Sequence, residues 1–104
     1  MSVEESDDCI HVRVRRLIIR MIDEYVTTYK KPIRRKKLHE LVITTDEKIA
    51  KLYEGHKAMV DEVFSFNLSQ MVREGRVVKV KDPYKPKWTY YVLPKHLEMF
   101  KKPS

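Results

Sequence analysis

The sequence predicts a small α+β domain with three to four helices followed by a C-terminal β-hairpin. Between Ile10 and Met71, apolar residues recur at three- and four-residue steps, the spacing of helices that bury one face. After them, "RVVKV" and "WTYYVL" are β-branched and aromatic runs separated by a turn-rich segment, which indicates a hairpin. A chain of 104 residues can build one hydrophobic core but not two independent ones.

The first helix begins near Ile10 and spans about five turns. Its apolar stripe consists of Ile10, Val14, Leu17, Ile18, Met21, Ile22, Tyr25 and Tyr29. We expect it to end before Pro32, because the residue that precedes a proline avoids the helical region. Ile33 is then expected to form a short strand. A second, short helix is marked by Leu38, Leu41 and Val42.

The segment from 45 to 74 can form one long helix or two shorter ones. A start signature, with Thr44 or Thr45 as cap, opens it. In one straight helix, Lys57 would fall within the apolar stripe of Val60, Phe64, Leu68 and Met71. A break near Gly55 removes this conflict, and glycine commonly ends helices. We therefore predict two helices, at about 45–54 and 57–74, with Gly75 ending the second.

The predicted hairpin has the basic segment "KDPYKPK" at its tip. Pro83 and Pro86 are expected to stiffen this tip by fixing backbone angles. After the hairpin, "PKHLEMFKK" is expected to form a short helix with Pro94 at its first position.

The charge of the chain is unevenly distributed. The net charge is +7, and four of the 15 acidic residues lie within the first eight positions. Residues 1–8 are therefore expected to form an acidic flexible tail, and residues 9–104 the folded domain. The 22 basic and 11 acidic residues of that domain leave +11, which suggests a polyanionic partner. The alternative is a well-solvated charged surface.

Several function classes are disfavoured by composition. No apolar run approaches the roughly 20 residues that a membrane span needs. A single cysteine, Cys9, cannot form an internal disulfide, which suits a cytoplasmic location. Only Gly55 and Gly75 are available for a phosphate-cradling loop, and the four histidines are scattered without metal-ligand spacing. We expect neither an enzyme, nor a metal site, nor a small-molecule cofactor.

The stretch "FSFNLSQMVREGRVVKV…YYVL" resembles the last helix and wing of a winged helix-turn-helix domain. The matching positions are Phe64, Leu68, Met71, Glu74, Gly75, Val77, Tyr91 and Leu93. The resemblance covers about residues 10–93, and the small winged-helix proteins of archaea and their viruses are the most similar group. It implies a winged helix-turn-helix fold that binds double-stranded DNA as a transcriptional regulator. The alternatives are a winged-helix protein-interaction or architectural module that reads no bases, and RNA binding through the same surfaces.

The resemblance also implies three sets of DNA-binding residues. On the last helix, the face opposite the core is expected to read base edges through Ser65, Phe66, Ser69, Gln70 and Arg73. The run before the second helix is expected to contact phosphates through Arg34, Arg35, Lys36 and Lys37. The wing is expected to contact flanking phosphates or the minor groove through Lys79, Lys81, Lys85 and Lys87. The alternatives are solvated faces, and an edge hairpin protected from aggregation by lysine and proline.

A second apolar set on the first helix predicts a homodimer. Val12, Ile19 and Val26 lie seven residues apart and therefore nearly above one another on the helix. Left in water they would form an exposed apolar strip, which the same helix of a second chain could cover. The alternative is that the hairpin or the "PKHLEMF" segment covers this strip within one chain.

Overall fold

The computed structural model describes residues 9–82 and 84–100, and it confirms the predicted α+β class. The elements are α1 (Ile10–Tyr29), β1 (Ile33–Arg34), α2 (Arg35–Thr45), α3 (Glu47–Gly55), α4 (Lys57–Arg73), β2 (Val78–Asp82), β3 (Lys85–Val92) and a C-terminal 3-10 helix (Pro94–Phe100). The predicted tail at residues 1–8 and the predicted role of Pro83 lie outside the described residues, as does the side chain of Pro86. Within the described residues, no helix is long and apolar enough to cross a membrane.

Helix α1 supplies one wall of a single core. Val14, Ile18 and Ile22 are fully buried, and they belong to one cluster with Phe64 and Met71 of α4. The helix ends before Pro32 as predicted. Lys30 follows in the left-handed conformation, and its amide donates a hydrogen bond to the Val26 carbonyl at 2.9 Å.

The expectation that Tyr29 is a core residue is wrong. Its side chain is exposed, and its ring lies 4.6 Å from that of Tyr25 instead. The reason is the position of Tyr29 in the last turn of α1, where all residues from 27 to 30 are exposed. This turn therefore extends past the edge of the core.

The predicted break between two helices is confirmed. Helix α3 ends at Gly55 and α4 begins at Lys57, with His56 in a non-helical conformation between them. The cap of α3 is Asp46 rather than Thr44 or Thr45. The Asp46 carboxylate accepts hydrogen bonds from the amides of Lys48 at 2.9 Å and Ile49 at 3.2 Å, which satisfies donors that a helix start leaves free.

The three strands form one antiparallel sheet in the order β1-β3-β2. Pairing of Ile33 with Tyr91 places β1 next to the returning strand of the hairpin, beside the start of α2. The hairpin strands reach further than predicted, because the segment expected as an open tip belongs largely to β2 and β3. The carboxylate of Asp82 accepts the Tyr84 amide at 2.8 Å, a local bond typical of tight turns. A register shift follows between Lys81 and Asp82.

The C-terminal 3-10 helix packs against α1. Lys95 and His96 both donate to the carboxylate of Asp23, at 3.0 and 3.2 Å. The hydrogen bond from Lys95 is the main cause that lowers the pKa of Asp23; burial opposes it and His96 adds to it. The predicted C-terminal helix is therefore present, in 3-10 form, and it is anchored to α1.

The packing of the single chain covers part of the apolar strip of Val12, Ile19 and Val26 that was predicted to form a dimer contact. Val26 is completely buried within the single chain, so it cannot belong to an exposed strip. Val12 and Ile19 are half-buried, and Ile19 lies in a groove with Leu93 and Pro94. The chain itself thus covers much of the strip, as the alternative expected. A homodimer stays a prediction, with Val12 and Ile19 as its remaining contacts.

Candidate nucleic-acid interface

A cleft lies between the start of α2, the first half of α4 and strand β3, and we call it the basic cleft. Its volume is about 460 Å³. Three elements contribute cations to its walls: Arg34 comes from β1, Lys87 from β3, and Arg35 and Lys36 from α2. Among the residues that the structure describes, no carboxylate lies within ion-pair distance of these four side chains. Within the described residues these four cations therefore form no ion pair, and the carboxylate that lines the cleft, that of Asp61, contacts His39 instead.

The local sequence explains why these cations meet. β1 pairs with β3 through Ile33 and Arg34, and α2 starts at the next residue. The basic run therefore lies where a strand turns into a helix, beside β3. Lys37 is the exception, since it pairs with Glu40 at 3.8 Å and lines a groove with Met21 and Tyr25 of α1. The predicted group of four is thus divided, and Lys37 lies outside the basic cleft.

Trp88 organises the hairpin side of the basic cleft. The Arg34 guanidinium carbon lies 3.7 Å from a Trp88 ring centroid, and the Lys85 ammonium nitrogen lies 4.0 Å away. Such cation–π contacts are worth about 0.5–1 kcal/mol at exposed sites and more where water is excluded. The indole therefore holds two cations in place at the mouth of the cleft. Sequence reasoning missed this role, although a lone tryptophan among lysines was a visible signal.

Arg35 connects α2 to α4 across the cleft. Its Nη2 donates to the Ser65 hydroxyl at 2.7 Å, and its guanidinium carbon lies 5.3 Å from the Phe64 ring centroid. The guanidinium also reaches Tyr91: burial raises the pKa of the Tyr91 hydroxyl, and interaction with Arg35 opposes the rise. Arg35 is consequently fixed in position while it remains exposed to solvent.

The predicted reading face of α4 is divided between two sides of the helix. Ser65 faces the basic cleft through its bond to Arg35. Phe66 is 56% exposed and meets the His11 ring edge-on at 6.0 Å, on the side where α4 contacts α1. Ser69 and Arg73 are exposed, and Gln70 is half-buried. Ser65 and Phe66 therefore face different sides of α4, and a ligand with one flat surface cannot contact both.

The hairpin presents the predicted lysines to solvent. Lys79, Lys81, Lys85 and Lys87 are all exposed. Lys79 and Lys81 share one face of β2, because positions two apart on a strand point the same way. At the turn, Tyr84 is 91% exposed, and its backbone is held by Asp82. Sequence reasoning did not select Tyr84, because it chose only the lysines and prolines of the predicted tip segment "KDPYKPK".

Asn67 fixes the orientation of α4 against α1. Its amide nitrogen contacts the Val63 carbonyl and the His11 Nδ1, each at 2.8 Å, and its oxygen accepts from the Arg15 Nε at 2.8 Å. The Arg15 guanidinium also donates a hydrogen bond to the Glu74 carboxylate at the end of α4, at 3.3 Å. This network restricts how α4 can tilt or rotate relative to the basic cleft.

No protein-family model matches the chain, and neither a curated protein nor a solved structure matches it. The inference of function therefore depends on the charge and geometry of the basic cleft and its surroundings.

Proposed function

We propose that the chain is a winged helix-turn-helix domain that binds double-stranded DNA and regulates transcription, with α4 as reading helix and the hairpin as wing. Two observations support this arrangement: the sheet order β1-β3-β2 holds the hairpin beside the start of α2, and the basic cleft is lined by both β3 and the first half of α4. A helix of 17 residues with a basic hairpin next to it fits a groove about 12 Å wide flanked by phosphates.

One observation carries the proposal: four cations from three elements surround one cleft and have no carboxylate partner among the described residues. A charge run on a solvated helix would not converge with cations from a strand. Phosphate contacts of this kind supply sequence-independent affinity and fix the register of the protein on DNA. Arg34 and Arg35 are also held in place before any ligand arrives, so less entropy is lost on binding.

Duplex DNA fits better than a single strand. Proteins that bind single strands stack bases on open aromatic rings beside the cations that hold the backbone. At the basic cleft the ring of Trp88 already contacts Arg34 and Lys85, and the exposed rings of Tyr84 and Phe66 do not line the cleft. The Trp88 ring therefore orients cations that bind phosphates, and it is not free to stack on a base.

Fluorescence anisotropy of a labelled duplex, titrated with the protein at several salt concentrations, tests the proposal. We expect the protein to bind the duplex more tightly than the matching single strand. The logarithm of its affinity for the duplex should fall linearly with the logarithm of the salt concentration. Trp88 emission should change in parallel, because the chain's one tryptophan lies in the cleft. Absence of duplex binding at low salt would contradict the proposal. Preference for duplexes from the gene's own upstream region would favour a regulator over an architectural protein.

A second candidate is a protein-interaction module, which one observation favours. Met59 and Phe66 lie seven residues apart on α4, and both are substantially exposed. Large apolar side chains that lie exposed on one helix face are typical of protein interfaces. If Phe66→Ala leaves duplex affinity unchanged, Phe66 is available to a protein partner; a clear loss would place Phe66 at the DNA.

A further inference from the structure

Asp61 is an acidic residue in a place built for polyanions. It lies near the start of α4 and lines the basic cleft together with Arg35 and Ser65. Of the cleft-lining residues that the structure describes, it is the only one with a carboxylate. Its side chain is 49% exposed, so a ligand in the cleft can reach it. Phosphate would be repelled there, so a ligand group that contacts this carboxylate has to donate a hydrogen bond.

The carboxylate is oriented by His39. The His39 Nε2 lies 2.6 Å from the Asp61 Oδ1. The His39 ring is itself held edge-on against Phe64 at 5.0 Å and Tyr53 at 5.8 Å. Within the described part of the chain, Oδ2 has no hydrogen-bond partner. One oxygen is thus anchored, and the other remains a free acceptor at the cleft.

Asp61 also lies at a fixed distance along α4 from Ser65, which holds the Arg35 guanidinium. Ser65 lies four residues further along α4 and therefore on the same face as Asp61. Ser65 accepts from Arg35 at 2.7 Å, so the guanidinium is positioned one helical turn away from the carboxylate. A backbone phosphate bound at Arg35 would consequently set where a base edge meets Asp61, since phosphate contacts position and base contacts specify.

We infer that Asp61 determines specificity by accepting a hydrogen bond from the 4-amino group of a cytosine in the major groove. This inference rests on the proposed function, because it requires α4 to enter duplex DNA. Cytosine and adenine are the bases that present an amino donor in that groove. Adenine places its N7 acceptor beside this donor, which would repel the second carboxylate oxygen, whereas carboxylates pair well with cytosine.

Selection from a random duplex library tests the inference, with the wild type, Asp61→Asn and Glu54→Gln compared in parallel. Glu54 is exposed and does not line the cleft, so its substitution controls for the loss of one negative charge. We expect the wild type and Glu54→Gln to enrich cytosine at one shared position. Asp61→Asn should lose this preference and shift towards adenine, which an asparagine amide recognises. Its affinity for the cytosine site should fall about 5- to 150-fold, while its affinity for random duplex is maintained or increased.

A change in the DNA gives a second measurement, and its result for the wild type does not depend on how the variant folds. In the selected site, the cytosine is replaced by 2-pyrimidinone, which lacks only the 4-amino group. Wild-type affinity should fall by a similar factor, and Asp61→Asn should be insensitive to the replacement.

The outcomes separate the inference from the proposed function. If the wild type selects a sequence and Asp61→Asn selects the same one, the inference is wrong while DNA binding stands. Insensitivity of the wild type to 2-pyrimidinone would also overturn it. If the wild type retains no duplex at all, the proposed function fails and the inference fails with it.

Discussion

Asn67 shows how one buried side chain can set the geometry of a surface site. It is 1% exposed, and its amide is bonded to His11, Arg15 and the Val63 carbonyl. In the described residues, no buried side-chain nitrogen or oxygen lacks a hydrogen-bond partner. The network therefore locks the contact between α1 and α4 without leaving an unsatisfied group. The sequence places Asn67 beside the apolar stripe of α4, but its partners His11 and Arg15 lie more than fifty residues away in the chain.

Asn67→Ala is expected to lower the free energy of unfolding by about 1–3 kcal/mol, because its former partners lose their hydrogen bonds in a buried region. Urea denaturation measures this loss. Ser69→Ala is the matched control, since Ser69 is exposed on the same helix, and it should change stability by less than about 0.5 kcal/mol. Equal effects of the two substitutions would mean that the network contributes no net stability.

At the scale of elements, individual residues fix where the helices begin and end. Asp46 caps α3 and also accepts from the Arg13 Nη1 at 2.7 Å, so it joins α3 to α1. Gly75 ends α4 with φ +77°, and the Arg76 amide returns to the Met71 carbonyl at 2.9 Å. Both are local signals, and the sequence therefore predicts the positions of these breaks to within a residue or two.

Acid titration tests the role of Asp46. Burial raises the pKa of the Asp46 carboxyl, but hydrogen bonds from Arg13 and the Ile49 amide outweigh it, and the pKa lies below its ordinary value of 3.8. The unfolded chain therefore takes up the proton first as pH falls. The stabilisation by the charged carboxylate is present above pH 3.8 and is lost as pH falls through the lower, folded-state pKa.

We expect the stability difference between wild type and Asp46→Asn to be constant near neutral pH and to shrink below about pH 4. Asp46→Ala should be less stable than Asp46→Asn, because asparagine still caps the helix; loss of a cap costs about 0.5–2 kcal/mol. Thermal unfolding at pH 7 and pH 3 measures both effects. A difference between wild type and Asp46→Asn that does not change with pH would exclude the ion pair with Arg13 as its cause.

The two glycines give a matched pair of substitutions. Neither has an atom within 4 Å of an added Cβ, so steric clash is absent at both sites. Gly75→Ala should still destabilise by about 1–2 kcal/mol, because φ is positive there. Gly55→Ala, in the last turn of α3, should be neutral or stabilise by up to about 1 kcal/mol. Chemical denaturation of both variants checks this, and equal effects would contradict a special backbone requirement at Gly75.

At the scale of the whole molecule, the sequence predicts what depends on local spacing and misses what depends on distant contacts. The α1 stripe, the break at Gly55 and the C-terminal segment follow from periodicity and from glycine and proline. The burial of Val26, the contact between Arg34 and Trp88 and the pairing of His39 with Asp61 join segments far apart in the chain. No periodic pattern encodes such contacts. The basic residues were therefore predictable as a set, whereas the division that excludes Lys37 from the cleft was not.

The salt dependence of duplex binding by two charge-matched variants tests the central claim, that DNA phosphates bind in the basic cleft. Lys36→Ala with Lys87→Ala removes from the cleft two exposed cations that have no ion-pair partner in the described part of the chain. Arg20→Ala with Lys51→Ala removes the same charge from residues that line other grooves. Each lost phosphate contact should make the slope of log affinity against log salt about 0.9 shallower. If both lysines contact phosphates, the slope of the cleft variant should therefore be about 1.8 shallower than that of wild type. The other variant should keep the wild-type slope. Equal slopes for the two variants would contradict the claim.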